Sequence, residues 1–218
     1  MNLEQFTPEQ IQQIAKKLAI QTVDCQQAMT AAHKLYWDQL WPQKLRITDG
    51  LGKRLLENTQ YTGLALTASV NALNPQLVLD IGCGQNFYKG KIQNLVGIDP
   101  YGSDADIQAD YFSGIFEQIA DVILVLGVLE YGSRADVVSK LRFMHRNCHA
   151  ETQVFFRFNV SPRFEHEIID GYDICYFMDK LVQTPAEWND TVVESGYQIL
   201  HSDWDTLGQR WHIRAKLK

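Results

Sequence analysis

The stretch LVLDIGCGQNFYKGKIQNLVGIDP, residues 77 to 100, decides the fold. An apolar run ends in Asp80, a Gly82-Cys83-Gly84 turn follows, and a second apolar run ends in Asp99. Glycines are required where the backbone takes a positive φ or comes within contact distance of another group, because a Cβ would obstruct both. A carboxylate at the tip of the second run can accept hydrogen bonds from both vicinal hydroxyls of a ribose. Strand, glycine turn and acid together predict an adenosine-type ligand lying over the carboxyl ends of the first two strands.

Outward from this stretch the chain divides in two. From Pro75 onward, short β-branched runs alternate with helical stretches. Gln76 to Ile81, Asn94 to Ile98, Asp121 to Leu126 and Gln153 to Phe158 read as strands, as does Ala105 to Ala109. Their near-continuous apolar character suits a parallel sheet covered on both faces. Ser133 with Asp136 opens a helix running to about Asn147. Thr184-Pro185-Ala186-Glu187 opens another that stops at Gly196. Tyr197 to Leu200 and the strictly alternating Trp211 to Lys218 close the chain as strands. Upstream, Thr7-Pro8-Glu9-Gln10 and Asp24 cap two helices, and a third apolar stripe through Leu66, Val70 and Leu73 ends at Asn74-Pro75. The expected organisation is a helical segment over residues 1–75 and an α/β doubly wound core over 76–218.

The ligand follows from what the turn lacks. A dinucleotide site uses GxGxxG, with the third glycine letting a helix N-terminus approach a pyrophosphate; here that position is Phe87. Asp80 beside a pyrophosphate would set a fixed anion against an anion, whereas it suits an ammonium, which S-adenosylmethionine carries together with a sulfonium and no phosphate. In these residues the chain resembles the class I S-adenosylmethionine-dependent methyltransferases. Their signature of an acid followed by GxGxG is matched by Asp80, Gly82 and Gly84, with Asn86 in place of the third glycine. The family's ribose-binding acid falls on Asp99, and its adenine-flanking pair on Asp110-Tyr111. Its fourth strand, of the form DVVxxxxVLEH, matches DVILVLGVLEYGS from Asp121 to Ser133, with Tyr131 where many members carry His. The resemblance implies a Rossmann-like sheet of seven strands, mostly parallel with an antiparallel last strand inserted between the fifth and sixth. It also implies S-adenosylmethionine as cofactor, contacted by Asp80, Gly82, Cys83, Gly84, Asp99, Pro100, Asp110, Tyr111, Leu126 and Gly127. Only nine residues, Gln85 to Gln93, separate the turn from the next strand, so the loop QNFYKGK is expected where the family has a longer helix.

The reaction implied is methyl transfer by in-line attack of an acceptor nucleophile. Glu130 and Tyr131 at the end of the fourth strand, and His166 in the 160 to 183 segment, are the candidates to orient or deprotonate that acceptor. A base is needed only if the acceptor loses a proton at the moment of attack. Two alternatives stand beside this reading: a non-catalytic module or partner subunit that keeps the fold, and an NAD-dependent oxidoreductase, which the missing third glycine disfavours. Neither an NPPY-type motif after the fourth strand nor a Pro-Cys nucleophile is present, so DNA amino- and cytosine-methyltransferases are poor templates.

Composition narrows the partners. The 218 residues are 45% apolar with a formal charge of −6, and no basic run exceeds two residues, so no nucleic-acid patch is evident. A small-molecule acceptor is therefore expected; oligomeric state is left open. The apolar stretch from Val122 to Leu129 is far short of the ~20 residues a membrane span needs. The opening MNLEQFTPEQ carries no basic flank or apolar run, and a cytoplasmic location is expected. Four cysteines without a CxxC pair read as reduced thiols, Cys83 among them as turn filler rather than nucleophile. His145, Cys148 and His149 lie at a helix end, where His favours the dipole, and no metal site is assigned. Tyr36, Trp37 and Trp41 read as core or helix-packing residues, with the wall of an acceptor pocket as the alternative.

Overall fold

The computed structural model describes residues 66–102, 104–160, 168–169, 172–173, 181, 183–204 and 210–218. The two helices expected near Thr7 and Asp24, the aromatic group at 36–41 and His166 lie outside the described residues. Val78–Ile81 (β1), Leu95–Ile98 (β2) and Ala120–Leu126 (β3) are short apolar runs that pair in parallel, Val78 lying opposite both Leu95 and Val122. Cys148–Asn159 (β4) continues the parallel set on the far side of β3. Arg210–Leu217 (β8) inserts antiparallel between β4 and Tyr197–Trp204 (β7). The sheet order is β2-β1-β3-β4-β8-β7, with β8 alone reversed. Ile168–Ile169 (β5) and Tyr172–Asp173 (β6) pair antiparallel as a separate two-stranded sheet within the 160 to 183 segment.

Among the described residues six strands form this sheet, where the resemblance implied seven. The run from Ala105 to Ala109 contributes a single parallel bridge, Ile98 to Ile107, at the outer edge of β2. The reason lies in Asp106, whose carboxylate accepts the Gly97 N–H at 2.9 Å and pairs with Lys89 at 2.6 Å. An aspartate side chain that takes a strand donor replaces the ladder with a local bond, and the run cannot extend.

The helices begin where their hydroxyl caps stand. Arg134–Phe143 (α2) opens on a reciprocal box in which Ser133 accepts from the Asp136 N–H and Asp136 accepts from the Ser133 N–H. Pro185–Glu194 (α3) repeats the arrangement with Thr184 and Glu187, and proline at its first position lacks only a donor that would have gone unused. Such caps contribute about 1 kcal/mol each. Both helices cover one face of the sheet, where Trp188 stacks on Phe158 at 4.0 Å between ring centres and the Tyr197 hydroxyl donates to the Leu141 carbonyl. On the other face Val78, Leu95, Val122, Leu124 and Phe155 meet Val70 of Leu66–Asn71 (α1), together with Tyr88 and Ile92 from the loop after the glycine turn. Being covered on both sides is what let these strands read as apolar throughout. Among the described residues no helix is long and apolar enough to cross a membrane.

Candidate functional site

The neighbouring strands β2, β1 and β3 end level with one another, and their carboxyl ends carry the turns that build a cleft. The glycine turn leaves β1 by crossing over β2, with the N–H groups of Gly82 and Cys83 both donating to the Ile98 carbonyl at 2.7 and 3.2 Å. Gly82 has φ +69°, and a Cβ there would stand 2.2 Å from Cγ1 of Val128 in the loop after β3. The turn is thus held by backbone conformation and by close packing at once. Asn86, where the resemblance has a third glycine, adopts φ +54°. Asparagine is among the few side chains that occupy this region readily, so the backbone shape survives without the glycine. Its amide donates to the Asp104 carbonyl at 2.9 Å and to Asp106 at 3.2 Å, tying the loop to the segment beyond β2. No helix follows the turn; residues 84 to 94 are a succession of turns.

The cleft encloses about 270 Å³. Of the residues singled out in the sequence, Gly82, Gly84, Asp99, Pro100, Asp110, Tyr111, Gly127 and Tyr131 line it. Its walls also include Ile81 and Ile98 from the strand ends and Tyr101, Phe112, Val128 and Leu129 from the loops, none of which the sequence reading selected. The available signal was position, since each directly adjoins a selected residue on a loop at the carboxyl edge. Asp80, Cys83, Leu126 and Glu130 are placed behind or beside the lining rather than in it.

Among the described residues, the lining of this cleft includes two carboxylates, Asp99 and Asp110, and no Lys, Arg or His. Asp99 is 6% exposed; its Oδ1 accepts the N–H groups of Tyr101 and Gly102 at 2.8 and 2.7 Å, and its Oδ2 accepts that of Gly84 at 3.0 Å. Asp110 caps the short turn Tyr111–Ser113 by accepting the Phe112 N–H at 2.9 Å. Tyr111 is anchored away from the opening, its hydroxyl donating to Asn147 at 2.6 Å and its ring meeting Phe112 and Phe143 edge-on. Behind the turn, Asp80 is 2% exposed and its Oδ2 has no hydrogen-bond partner among the described residues. Burial, and secondarily the Asp99 charge, push its carboxyl up to about 8. The Cys83 thiol is pushed up as well, first by burial and then by Asp80, Asp99 and Asp106, which keeps it unreactive as a nucleophile.

Glu130 is fully buried. Its carboxylate accepts from the backbone N–H of Asn159 and, at 2.7 Å, from the Asn159 amide, and its carbonyl accepts the Leu181 N–H. It therefore links the end of β3 to the end of β4. Tyr131, the next residue, faces the cleft, and its carbonyl accepts from Lys140 of α2 at 2.7 Å. The histidines and cysteine near the end of α2 diverge: His145 packs edge-on against Tyr197, Cys148 donates to the Met144 carbonyl, and His149 contacts Asp121.

Solved structures share this fold. Human N-acetylserotonin methyltransferase in complex with S-adenosylmethionine aligns with a TM-score of 0.60 at 14% identity, over 94% of this chain and 62% of that one. Magnesium protoporphyrin IX methyltransferase from Synechocystis, with bound S-adenosylmethionine, aligns at 0.58 and 12% identity, over 87% and 97% of the two chains. The chain has the class I methyltransferase fold. An O-methyltransferase from neocarzinostatin biosynthesis, in complex with S-adenosylmethionine and 2-hydroxy-5-methyl naphthoic acid, aligns at 0.58 and 14% identity over 84% and 61%. The chain thus spans about three-fifths of the length of two of these three methyltransferases. No protein-family model matches the sequence, and no curated protein matches it either. Within the methyltransferase fold, the cleft occupies the carboxyl edge of the parallel strands, where open α/β sheets place their ligands.

Proposed function

We propose that this chain is an S-adenosylmethionine-dependent methyltransferase acting on a small-molecule acceptor. The observation that carries the reading is electrostatic: a nucleoside-sized cleft over β1, β2 and β3 presents Asp99 and Asp110, and among the described residues no cationic side chain lines it. A nucleotide phosphate would meet uncompensated negative charge there, whereas a cationic nucleoside finds complementary charge. The buried Asp80 Oδ2, which has no partner among the described residues, adds a place for an ammonium behind the glycine turn. S-adenosylmethionine, when bound, supplies a methyl group on a sulfonium, electrophilic without further activation.

In this reading Asp99 accepts from the ribose and Asp110 from the exocyclic amine of adenine, while Ile98, Pro100 and Phe112 wall the base. Asp80 holds a proton near neutrality and ionises against the ammonium. Leu129 and Tyr131 border the end of β3, from which the methyl group would face the acceptor, and Tyr131 orients it. Glu130 acts as a positioning residue through Asn159. Positioning of the two reactants in a near-attack geometry can account for roughly 7 to 11 kcal/mol of a barrier, so the reading does not depend on a general base.

Calorimetry with S-adenosylhomocysteine and with NAD on the full chain tests the cofactor, and transfer of labelled methyl from S-adenosylmethionine to a panel of hydroxy- and amino-aromatic compounds tests the activity. Saturable binding of the homocysteine compound but not of NAD, with label recovered in product, is expected. Binding without transfer would assign the chain as a non-catalytic module, and preference for NAD would overturn the reading.

A further inference from the structure

We propose that Asp99 reads one ribose hydroxyl only, and that its other acceptor sites serve to hold the glycine turn in place. This rests on the cofactor reading above. A carboxylate offers about four lone-pair sites, two on each oxygen. Here Oδ1 already accepts two backbone N–H groups, from Tyr101 at 2.8 Å and Gly102 at 2.7 Å. Oδ2 accepts one, from Gly84 at 3.0 Å. Both sites on Oδ1 are thereby filled, and one remains on Oδ2, on an oxygen that belongs to a cleft-lining residue. The side-by-side pattern in which each oxygen takes one of two vicinal hydroxyls is closed to this aspartate while those bonds persist.

The bonds are held from several directions. A Cβ on Gly102 would come within 1.9 Å of the Gly84 carbonyl oxygen, so the turn after β2 and the glycine turn are in direct contact. Further along, Asp106 accepts from Gly97 and Asn86 and pairs with Lys89, fastening the same two segments a second time. Freeing Oδ1 for a second hydroxyl would break two charge-assisted hydrogen bonds, which belong to the strong class, and unfasten the turn after β2 that packs against the Gly84 carbonyl. Asp99 is then a specificity-determining residue with a dual role: one oxygen shapes the site, and the other both fixes Gly84 and selects a single hydroxyl.

The test uses S-adenosylhomocysteine and its 2′-deoxy and 3′-deoxy analogues on the full chain, with dissociation constants from calorimetry. One deoxy analogue should bind roughly ten- to a hundredfold more weakly than the parent, the loss expected for one hydrogen bond to a charged acceptor, while the other stays within about threefold. In Asp99→Ala the penalty for that one hydroxyl should vanish, a coupling that a purely structural aspartate would not show. Comparable losses for both analogues, or for neither, overturn the inference while leaving the cofactor reading intact. No binding of the parent compound overturns both.

Discussion

Replacing Asp80 by asparagine should stabilise the unliganded protein at alkaline pH and weaken its hold on a cationic cofactor. The carboxyl is 2% exposed, its Oδ2 has no partner among the described residues, and burial, with a smaller contribution from Asp99, raises it from 3.8 to about 8. A raised carboxyl means that between those two values the native state keeps a proton that the unfolded chain has released. Stability is therefore full below the unfolded value, declines as pH rises through the window, and levels off once the native group ionises. The gap between the two values corresponds to on the order of 6 kcal/mol across the window, and to on the order of 4 kcal/mol at neutral pH. Asparagine matches the neutral carboxyl in size and does not titrate, so Asp80→Asn should lack this decline. Urea unfolding of both proteins at about pH 5, 7 and 9 reads the effect as a free-energy difference that grows with pH in favour of the variant. With S-adenosylmethionine the order should reverse, because an ammonium pairs with the ionised aspartate and has no counterpart in the amide. Parallel pH profiles for the two unliganded proteins would refute the argument, since they would mean that Asp80 is already ionised in the native state.

Three further substitutions probe the site's construction. Gly82→Ala forces a Cβ against Val128 in a positive-φ position and should cost on the order of 2–3 kcal/mol; Val128→Ala should recover part of that loss, and strictly additive effects in denaturant unfolding would dismiss the contact. Glu130→Ala strands the donors of Asn159 and should lower stability by about 3 kcal/mol, whereas Glu130→Gln keeps one acceptor oxygen and should lose less. If Glu130→Gln instead keeps its melting temperature and loses methyl transfer, Glu130 is a base and not a positioning residue. Asn86→Ala should be less stable than Asn86→Gly by about 1 kcal/mol, since both lose the same amide bonds and only alanine retains a penalty at φ +54°; equal melting temperatures would remove that account.

What could be read from the sequence shares one property: its cause and its effect lie within a few residues. Asp80-Ile81-Gly82-Cys83-Gly84 sets a strand end and a turn because the positive φ at both glycines is a local demand. Ser133 with Asp136, and Thr184 with Glu187, mark helix starts because a cap bonds three residues ahead. The alternation of Trp211 to Lys218 fixes a strand because successive side chains point to opposite faces. Even the reversed direction of β8 came with the resemblance those local signals supported.

What the sequence did not decide has the opposite character. Asp106 ended a strand that Ala105 to Ala109 would otherwise have made, by accepting from Gly97, nine residues back. Glu130, conspicuous at the tip of β3, turned out to face Asn159, twenty-nine residues on. Asp99 looked like an open pair of acceptors until Gly84, Tyr101 and Gly102 were seen to occupy three of its sites. Residue spacing specifies which backbone shapes are possible. Which acceptor is already taken when a ligand arrives depends on segments that only folding brings together, because every donor withdrawn from water must find a partner somewhere in the packed chain.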